Sequence, residues 1–286
     1  MANLKNIRTQ IKSVKSIQQV TNAMKMVSVA KLRRAQERME QARPYSERLQ
    51  NLIVDLTYDV DRSMLELLNQ RKQINYIGYL IVTADRGLAG SFNSNIIKKA
   101  EQQINKYGKE NAKLFCIGKK GFEYFKKRDY NVVKDYTDFW ADLNYNEAIN
   151  IGKDISNAFI NHEIDELNVV FNFFKNVGSQ ELIYEKLLPL TFDNQYVSNN
   201  TDIIYEPSKI EIVQTLIPKY INTQIWKYLL ESFASEQAAR MIAMESATDS
   251  AKEMIDDLKL EFNKARQTVI TTEMLEIVGG AEALSN

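Results

Sequence analysis

The 286-residue sequence predicts an α/β protein. Its N- and C-terminal segments are expected to form a long antiparallel two-helix coiled coil, with a central Rossmann-like α/β domain between them. Three observations predict this. First, eight of the ten glycines lie between Gly78 and Gly178, and the other two are Gly279 and Gly280. Residues 1–77 hold no glycine and one proline, Pro44, and residues 219–278 hold neither. Glycine and proline disfavour helix interiors, so the turns belong to the middle of the chain. Second, apolar residues recur at steps of three and four in both flanks, the pattern of a coiled-coil seam. Third, the flanks carry opposite charge. Residues 1–36 hold eight bases and no acid, whereas residues 206–286 hold thirteen acids and eight bases.

In the N-terminal segment (residues 1–73) the stripe runs Leu4, Ile7, Ile11, Val14, Ile17, Val20, Met24 and Val27. A helix of about 55 residues extends roughly 80 Å, well beyond the ~30 Å of a small domain. Such helices are expected to bury their stripes against each other or a partner, not in their own chain's globule. Pro44 is expected to kink the first helix.

The central segment (residues 74–204) alternates. Strands are predicted over 76–83, 113–118, 167–174 and 182–190, and helices over 94–107, 120–127 and 145–161. Near-continuous apolar strands separated by helices imply a mostly parallel sheet covered on its faces. Residues 194–201 are polar and read as a loop.

The C-terminal segment (residues 205–286) places Leu230, Ala234, Gln237, Met241, Met244, Thr248, Ala251, Ile255, Leu258, Phe262, Ala265, Val269 and Thr272 on one heptad frame. Pro218 is expected to separate a short helix (208–216) from the main one. Exposed ion pairs are worth only ~0.2–1 kcal/mol each, so the charge opposition is expected to set register more than stability.

Composition excludes several functions. The net charge is zero and 44% of residues are hydrophobic, an ordinary globular balance. No apolar run reaches the ~20 residues of a membrane-spanning helix. One cysteine, Cys116, and one histidine, His162, rule out an intramolecular disulfide and multi-cysteine or multi-histidine metal sites. Cys116 sits within an apolar strand and reads as an inert buried thiol, and His162 as a helix C-cap. No catalytic residue, cofactor-binding residue or metal ligand is identified, and no cofactor is expected.

Three tracts carry open signals. Residues 83–93, Thr-Ala-Asp-Arg-Gly-Leu-Ala-Gly-Ser-Phe-Asn, follow a strand and open a helix. They read either as a phosphate cradle or as a tight turn, and they lack the Lys-Ser/Thr of a P-loop. Lys5, Arg8, Lys12 and Lys15 form a basic stripe beside the apolar one. It reads as a solvated coiled-coil flank, as a surface for acidic partner segments, or as a nucleic-acid or membrane contact. No aromatic residue precedes Tyr45, so a stacking platform for single strands is missing. The tract 270–286 ends in small and apolar residues and reads either as a frayed tip or as a slender tip seated in a narrow hole.

Four tracts together resemble the gamma subunit of F-type (proton-translocating) ATP synthases of bacterial type. They are Ile7-Arg8 with residues 20–27 and Lys31-Leu32-Arg33; Thr83 to Gly90; Ser235-Glu-Gln-Ala-Ala-Arg-Met-Ile-Ala-Met244; and Phe262-Asn-Lys-Ala-Arg-Gln267 running into Ile270-Thr, Glu273, Glu276, Gly280 and Ala281. The resemblance spans the chain. It implies a central rotor stalk, not catalytic alone, that couples proton-driven rotation of a membrane c-ring to ATP synthesis at the beta subunits. The implied partners are the alpha and beta subunits of the catalytic ring, the epsilon subunit and the c-ring, with one copy per complex and no nucleic acid. The implied place is the cytoplasmic face of a bacterial inner membrane. The implied ring contacts are Met24, Lys25, Arg240, Arg266, Gln267, Thr271 and Glu273. Ala89 stands where many members carry cysteine, and with Cys116 alone the dithiol switch of plastid members is not expected. A start without a transit peptide favours a bacterial source. The alternative function is a non-rotating coiled-coil scaffold with an α/β recognition domain.

Overall fold

The computed structural model describes residues 2–57, 65–192, 206 and 208–285. Helix α1 spans Ala2–Thr57. It is followed by strand β1 (Ile77–Val82), α2 (Phe92–Tyr107), β2 (Ala112–Ile117), α3 (Lys119–Lys126), β3 (Val132–Tyr136), α4 (Tyr145–Ile160), β4 (Glu166–Asn176), β5 (Ser179–Leu188) and α5 (Lys209–Ser285). The chain divides into two compact units, one of Met1–Ser28 with Met241–Asn286 and one of Val29–Arg240. The predicted polar loop at 194–201 lies outside the described residues.

The first unit is an antiparallel helix pair. Arg8 lies over the Phe262 ring at 5.6 Å, Thr21 Oγ1 meets Thr248 Oγ1 at 2.8 Å, and Lys25 Nζ reaches Glu245 Oε1 at 2.6 Å. One helix counts up as the other counts down. The frame on α5 holds from Met241 to Val269, with Met244, Ala251 and Ile255 buried, but Thr272 is exposed. Lys25–Glu245 is the one cross-helix ion pair among the described residues of this unit, so charge contributes little to the pairing.

The seam on α1 differs from the expected stripe. The less exposed positions are Leu4, Ile7, Ile11 and Val14, then Gln18, Thr21, Met24, Lys25 and Ser28, so Met24 is kept from the expected stripe. Ile17, Val20 and Val27 are instead exposed, at 54%, 58% and 55%. The physical reason is the heptad. Steps of seven from Leu4 run through Ile11 and Gln18 to Lys25, and from Ile7 through Val14 and Thr21 to Ser28. A seam within this unit that keeps one strict seven-residue repeat meets the condition for left-handed supercoiling. Polar Gln18, Thr21 and Ser28 are therefore seated inward, and the apolar neighbours fall on the flank.

The second unit is a five-stranded sheet of order β3-β2-β1-β4-β5. Four strands are parallel, and β5 pairs antiparallel with β4. Alternation along the strands splits the core in two. Ile77, Tyr79, Ile81, Leu114 and Cys116 face α2 and α3, whereas Leu80, Val82, Phe115, Ile117, Leu167 and Val169 belong to the cluster with α4. That second cluster also contains Leu49, Ile53 and Leu56 of α1 and Val213, Ile217, Ile221, Ile225 and Leu229 of α5. The expectation that the terminal helices stay out of their own globule is thus corrected: their inner turns are core. Burial of one such aliphatic side chain stabilises by ~1.5–3 kcal/mol, and α5 supplies a run of them.

Neither proline breaks its helix. Pro44 lies within α1 and Pro218 within α5, so the separate helix at 208–216 is not formed. A proline leaves the carbonyl four residues earlier without its donor. Here those residues, Glu40 and Gln214, are exposed, as are both prolines, so both defects lie on the solvent face of their helices. The buried positions Val213, Ile217 and Ile221 then carry α5 past the defect. Strand β3 was not predicted, because Val132-Val-Lys-Asp-Tyr136 is an edge strand with three exposed residues and no apolar run. Helix α4 is capped by Asn144, whose side chain accepts the Asn146 N–H, and at its other end by Asn161, with His162 following at φ 60°. Cys116 is buried, and burial pushes its thiol up to about 12.

Candidate functional site

The turn after β1 is held by side chains bonding to backbone. Asp85 Oδ1 accepts the Lys119 N–H at 2.9 Å, and Oδ2 accepts the Asp138 N–H at 3.0 Å. Asn93 Oδ1 accepts the Ala84 N–H at 2.9 Å, and its Nδ2 donates to the Arg86 carbonyl at 3.2 Å. Within the turn Leu88 takes φ 62° and Gly90 φ 55°. Left-handed backbone is costly for leucine, and Leu88 is also 65% exposed. The tract sought as a phosphate cradle is therefore a tight turn pinned from several sides.

Open α/β sheets hold ligands outside the carboxyl ends of the strands, where strand order reverses. Here that place lies between β1 and β4. Helix α5 sits on it with its own side chains. Ser235 Oγ donates to the Asn172 carbonyl at 3.2 Å, and Glu231 Oε2 accepts the Phe174 N–H at 3.0 Å. Arg240 Nη1 pairs with Glu236 Oε1 at 2.6 Å, and Nη2 donates to the Gly87 carbonyl at 3.1 Å. Burial raises both Glu231 and Glu236 above the usual carboxylate range, against the pull of the Phe174 N–H on the first and Arg240 on the second.

Arg240, proposed from sequence as a partner contact, is thus buried and engaged within its own unit. The other six proposed residues lie in the helix pair. Met24 is half-buried, and Lys25 is paired with Glu245. Arg266, Gln267, Thr271 and Glu273 are exposed on α5. Gln267 and Thr271 share a face one turn apart, and the Thr271 hydroxyl donates to the Gln267 carbonyl at 2.9 Å. The twenty-two residue steps from Glu245 to Gln267 span roughly 33 Å of helix, so the candidate contacts do not form one pocket. Past Val269 every residue with a described side chain is exposed, including Ile270, Met274, Leu275, Ile277 and Val278. Antiparallel pairing explains it: with Arg8 over Phe262, α1 has few residues left to cover α5 beyond this point.

Sequence reasoning missed Glu231 and Glu236 as site residues. The available signal was Glu236 standing four residues before Arg240, the spacing of an ion pair on one helix face. Among the described residues, no group of three or more potential metal ligands is found. No helix among them is long and apolar enough to cross a membrane.

A two-helix coiled coil with polar and apolar residues exposed along its length, carried in one chain with an α/β unit whose own α5 side chains bond at the carboxyl ends of its strands, defines the class by architecture: a coiled-coil subunit with a mixed α/β unit. Comparison with known proteins narrows it. Residues 3–284 match the family described as ATP synthase. The ATP synthase gamma chain of Chlorobium phaeobacteroides is 46% identical over 289 residues, covering 99% of both chains, and that of Prosthecochloris aestuarii is 47% identical over 291 residues with the same coverage. The chain belongs to the ATP synthase gamma-chain family and is a non-catalytic subunit. Among solved structures, a chain in the OSCP, F1 and c-ring assembly of Euglena gracilis mitochondrial ATP synthase matches with TM-score 0.71 at 19% identity, over 99% of this chain and 95% of that one. A chain of the central stalk and c-ring of the Tetrahymena thermophila enzyme matches with TM-score 0.62 at 22% identity, over 80% and 99%. These two likenesses concern the fold.

Proposed function

We infer that this chain is the central rotor stalk of an F-type ATP synthase, converting proton-driven rotation of a membrane c-ring into ATP synthesis at the beta subunits. The observation that carries the reading is the antiparallel helix pair, with Ile17, Val20 and Val27 exposed along α1 and an unpaired apolar end on α5. A rod of two helices has no threefold axis. Inside a ring of three alpha and three beta subunits it presents a different face to each catalytic site. A shift of one site from 1:99 to 99:1 needs ~5.5 kcal/mol of differential interaction. Many weak contacts along a rod supply that, whereas one surface ion pair at ~0–1 kcal/mol does not.

In this reading the segments 1–73 and 205–286 supply the rod, and 74–204 is the foot that meets the epsilon subunit and the c-ring. Met24 and Lys25 face acidic beta-subunit segments. Arg266, Gln267, Thr271 and Glu273 face the catch loops of the ring, and Arg240 lies in the shaft tract farther along α5. The acid-free stripe of Lys5, Arg8, Lys12 and Lys15 steers the rod against acidic partners. The complex lies on the cytoplasmic face of a bacterial inner membrane.

Reconstitution tests it. A ring assembled with this chain sustains proton-driven ATP synthesis, and the same ring without it does not; undiminished synthesis without the chain refutes the reading. Single-particle imaging separates the rotor from a fixed scaffold, because a rotor is found at three azimuths within the hexamer and a tether at one.

A further inference from the structure

The turn after β1 is joined to α5 by a buried clasp. Arg240 uses its two terminal nitrogens on two different acceptors, the Glu236 carboxylate at 2.6 Å and the Gly87 carbonyl at 3.1 Å. Glu236 and Arg240 are 5% and 8% exposed. Lys31 and Asp85 also bear on the Glu236 carboxylate, with opposite sign. A buried ion pair is weak evidence for stability, because an apolar pair of like volume often serves as well or better. What the ion pair adds is direction. A guanidinium is a planar fork, so fixing one nitrogen on Glu236 aims the other. It is aimed at the turn already pinned by Asp85 and Asn93, where Leu88 is exposed in left-handed backbone. Strain of that kind persists only where surrounding structure over-determines it.

We propose that Glu236 is a positioning residue for coupled rotation: it holds the Arg240 guanidinium on the Gly87 carbonyl, so that the 85–90 turn and α5 move as one body. The proposal rests on the rotor reading. Glu236 orients through Arg240 and need not touch a partner itself.

The test uses intact ATP synthase in membrane vesicles, with ATP hydrolysis and ATP-driven acidification measured together. Glu236→Ala lowers acidification per ATP hydrolysed by about twofold or more, the scale of coupling changes carried by residues between sites. Glu236→Gln keeps a side-chain oxygen for Arg240 and restores the ratio. The double variant Glu236→Leu, Arg240→Met removes the clasp while keeping the volume. It loses coupling as Glu236→Ala does, although the complex assembles in normal yield, and it carries the test where the single variant fails to assemble. Hydrogen exchange at the Leu88 to Gly90 amides rises in both clasp-free variants and not in Glu236→Gln. A wild-type ratio in the double variant overturns the proposal, and so does a Glu236→Gln complex as impaired as Glu236→Ala. The rotor reading fails separately, if vesicles whose complex lacks this chain still pump on ATP.

Discussion

Gly118 shows how little freedom one residue leaves at the junction of β2 and α3. Its φ is 87°, and a Cβ there would sit 2.1 Å from the Thr83 carbonyl oxygen, a backbone atom that cannot swing away. Gly118→Ala therefore costs on the order of 3 kcal/mol or more, strain plus displaced backbone, read as a lowered urea midpoint. Glu231 makes the opposite case. Burial raises its carboxyl, so the ionised form is held at a cost in the folded chain. A raised carboxylate contributes stability below its ordinary value near 4.5, and that contribution is lost as pH climbs through the folded value. Glu231→Gln keeps an oxygen for the Phe174 N–H and removes the ionisation. Thermal unfolding across pH is expected to show the variant gaining on the wild type from acid toward neutral pH. A variant that instead lost ground to the wild type from acid toward neutral pH would reverse the assignment. Neither residue is legible in sequence: the glycine signals a turn but not its neighbour, and the glutamate looks like any polar helix position.

At the scale of elements, the two terminal helices were legible and their rotation was not. On α5 the apolar residues and the heptad coincide, so the frame is legible through Val269. On α1 they part after Val14, where Ile17 and Val20 outcompete Gln18 and Thr21 in any hydrophobic reading. What decides is the seven-residue step from Leu4 and Ile7, which seats Gln18, Thr21 and Ser28 inward. The predicted outcome is specific. Replacing Ile17, Val20 and Val27 together by serine shifts unfolding free energy by only about 0.5 kcal/mol per site, as expected for exposed positions. Ile7→Ala costs ~2–5 kcal/mol, since that side chain is 2% exposed. Equal losses in the two variants, measured by urea titration, would restore the stripe first read from sequence. The sheet was legible wherever strands are apolar on both sides, as in β1, where all six residues are buried. It was illegible at β3, whose edge position removes the apolar signal. The clasp residues were hidden for a related reason: Glu236 and Arg240 look solvated until the fold places them over the carboxyl ends of β1 and β4.

At the scale of the molecule, surface and stability are divided along the chain. Between Ile270 and Ala281 α5 buries nothing, and among the described residues the Gln267 side chain makes no hydrogen bond, its carbonyl accepting the Thr271 hydroxyl. Such positions contribute almost nothing to folding, so side-chain chemistry there is free to serve a partner. Gln267→Ala and Thr271→Ala should each leave the unfolding free energy within about 0.5 kcal/mol of wild type. In the assembled complex each should lower ATPase turnover by about fivefold, the effect of losing an interface contact of ~1 kcal/mol. Their combined effect is expected to fall short of the product of the two. One turn apart on one face, they meet the same partner loop, and residues in one contact network do not add. A thermal defect without a turnover defect would place both residues in the fold rather than at the ring, and full additivity would place them on separate loops. The comparison is decisive because the same two substitutions are read once in the free chain, where both positions are exposed, and once where a partner covers them.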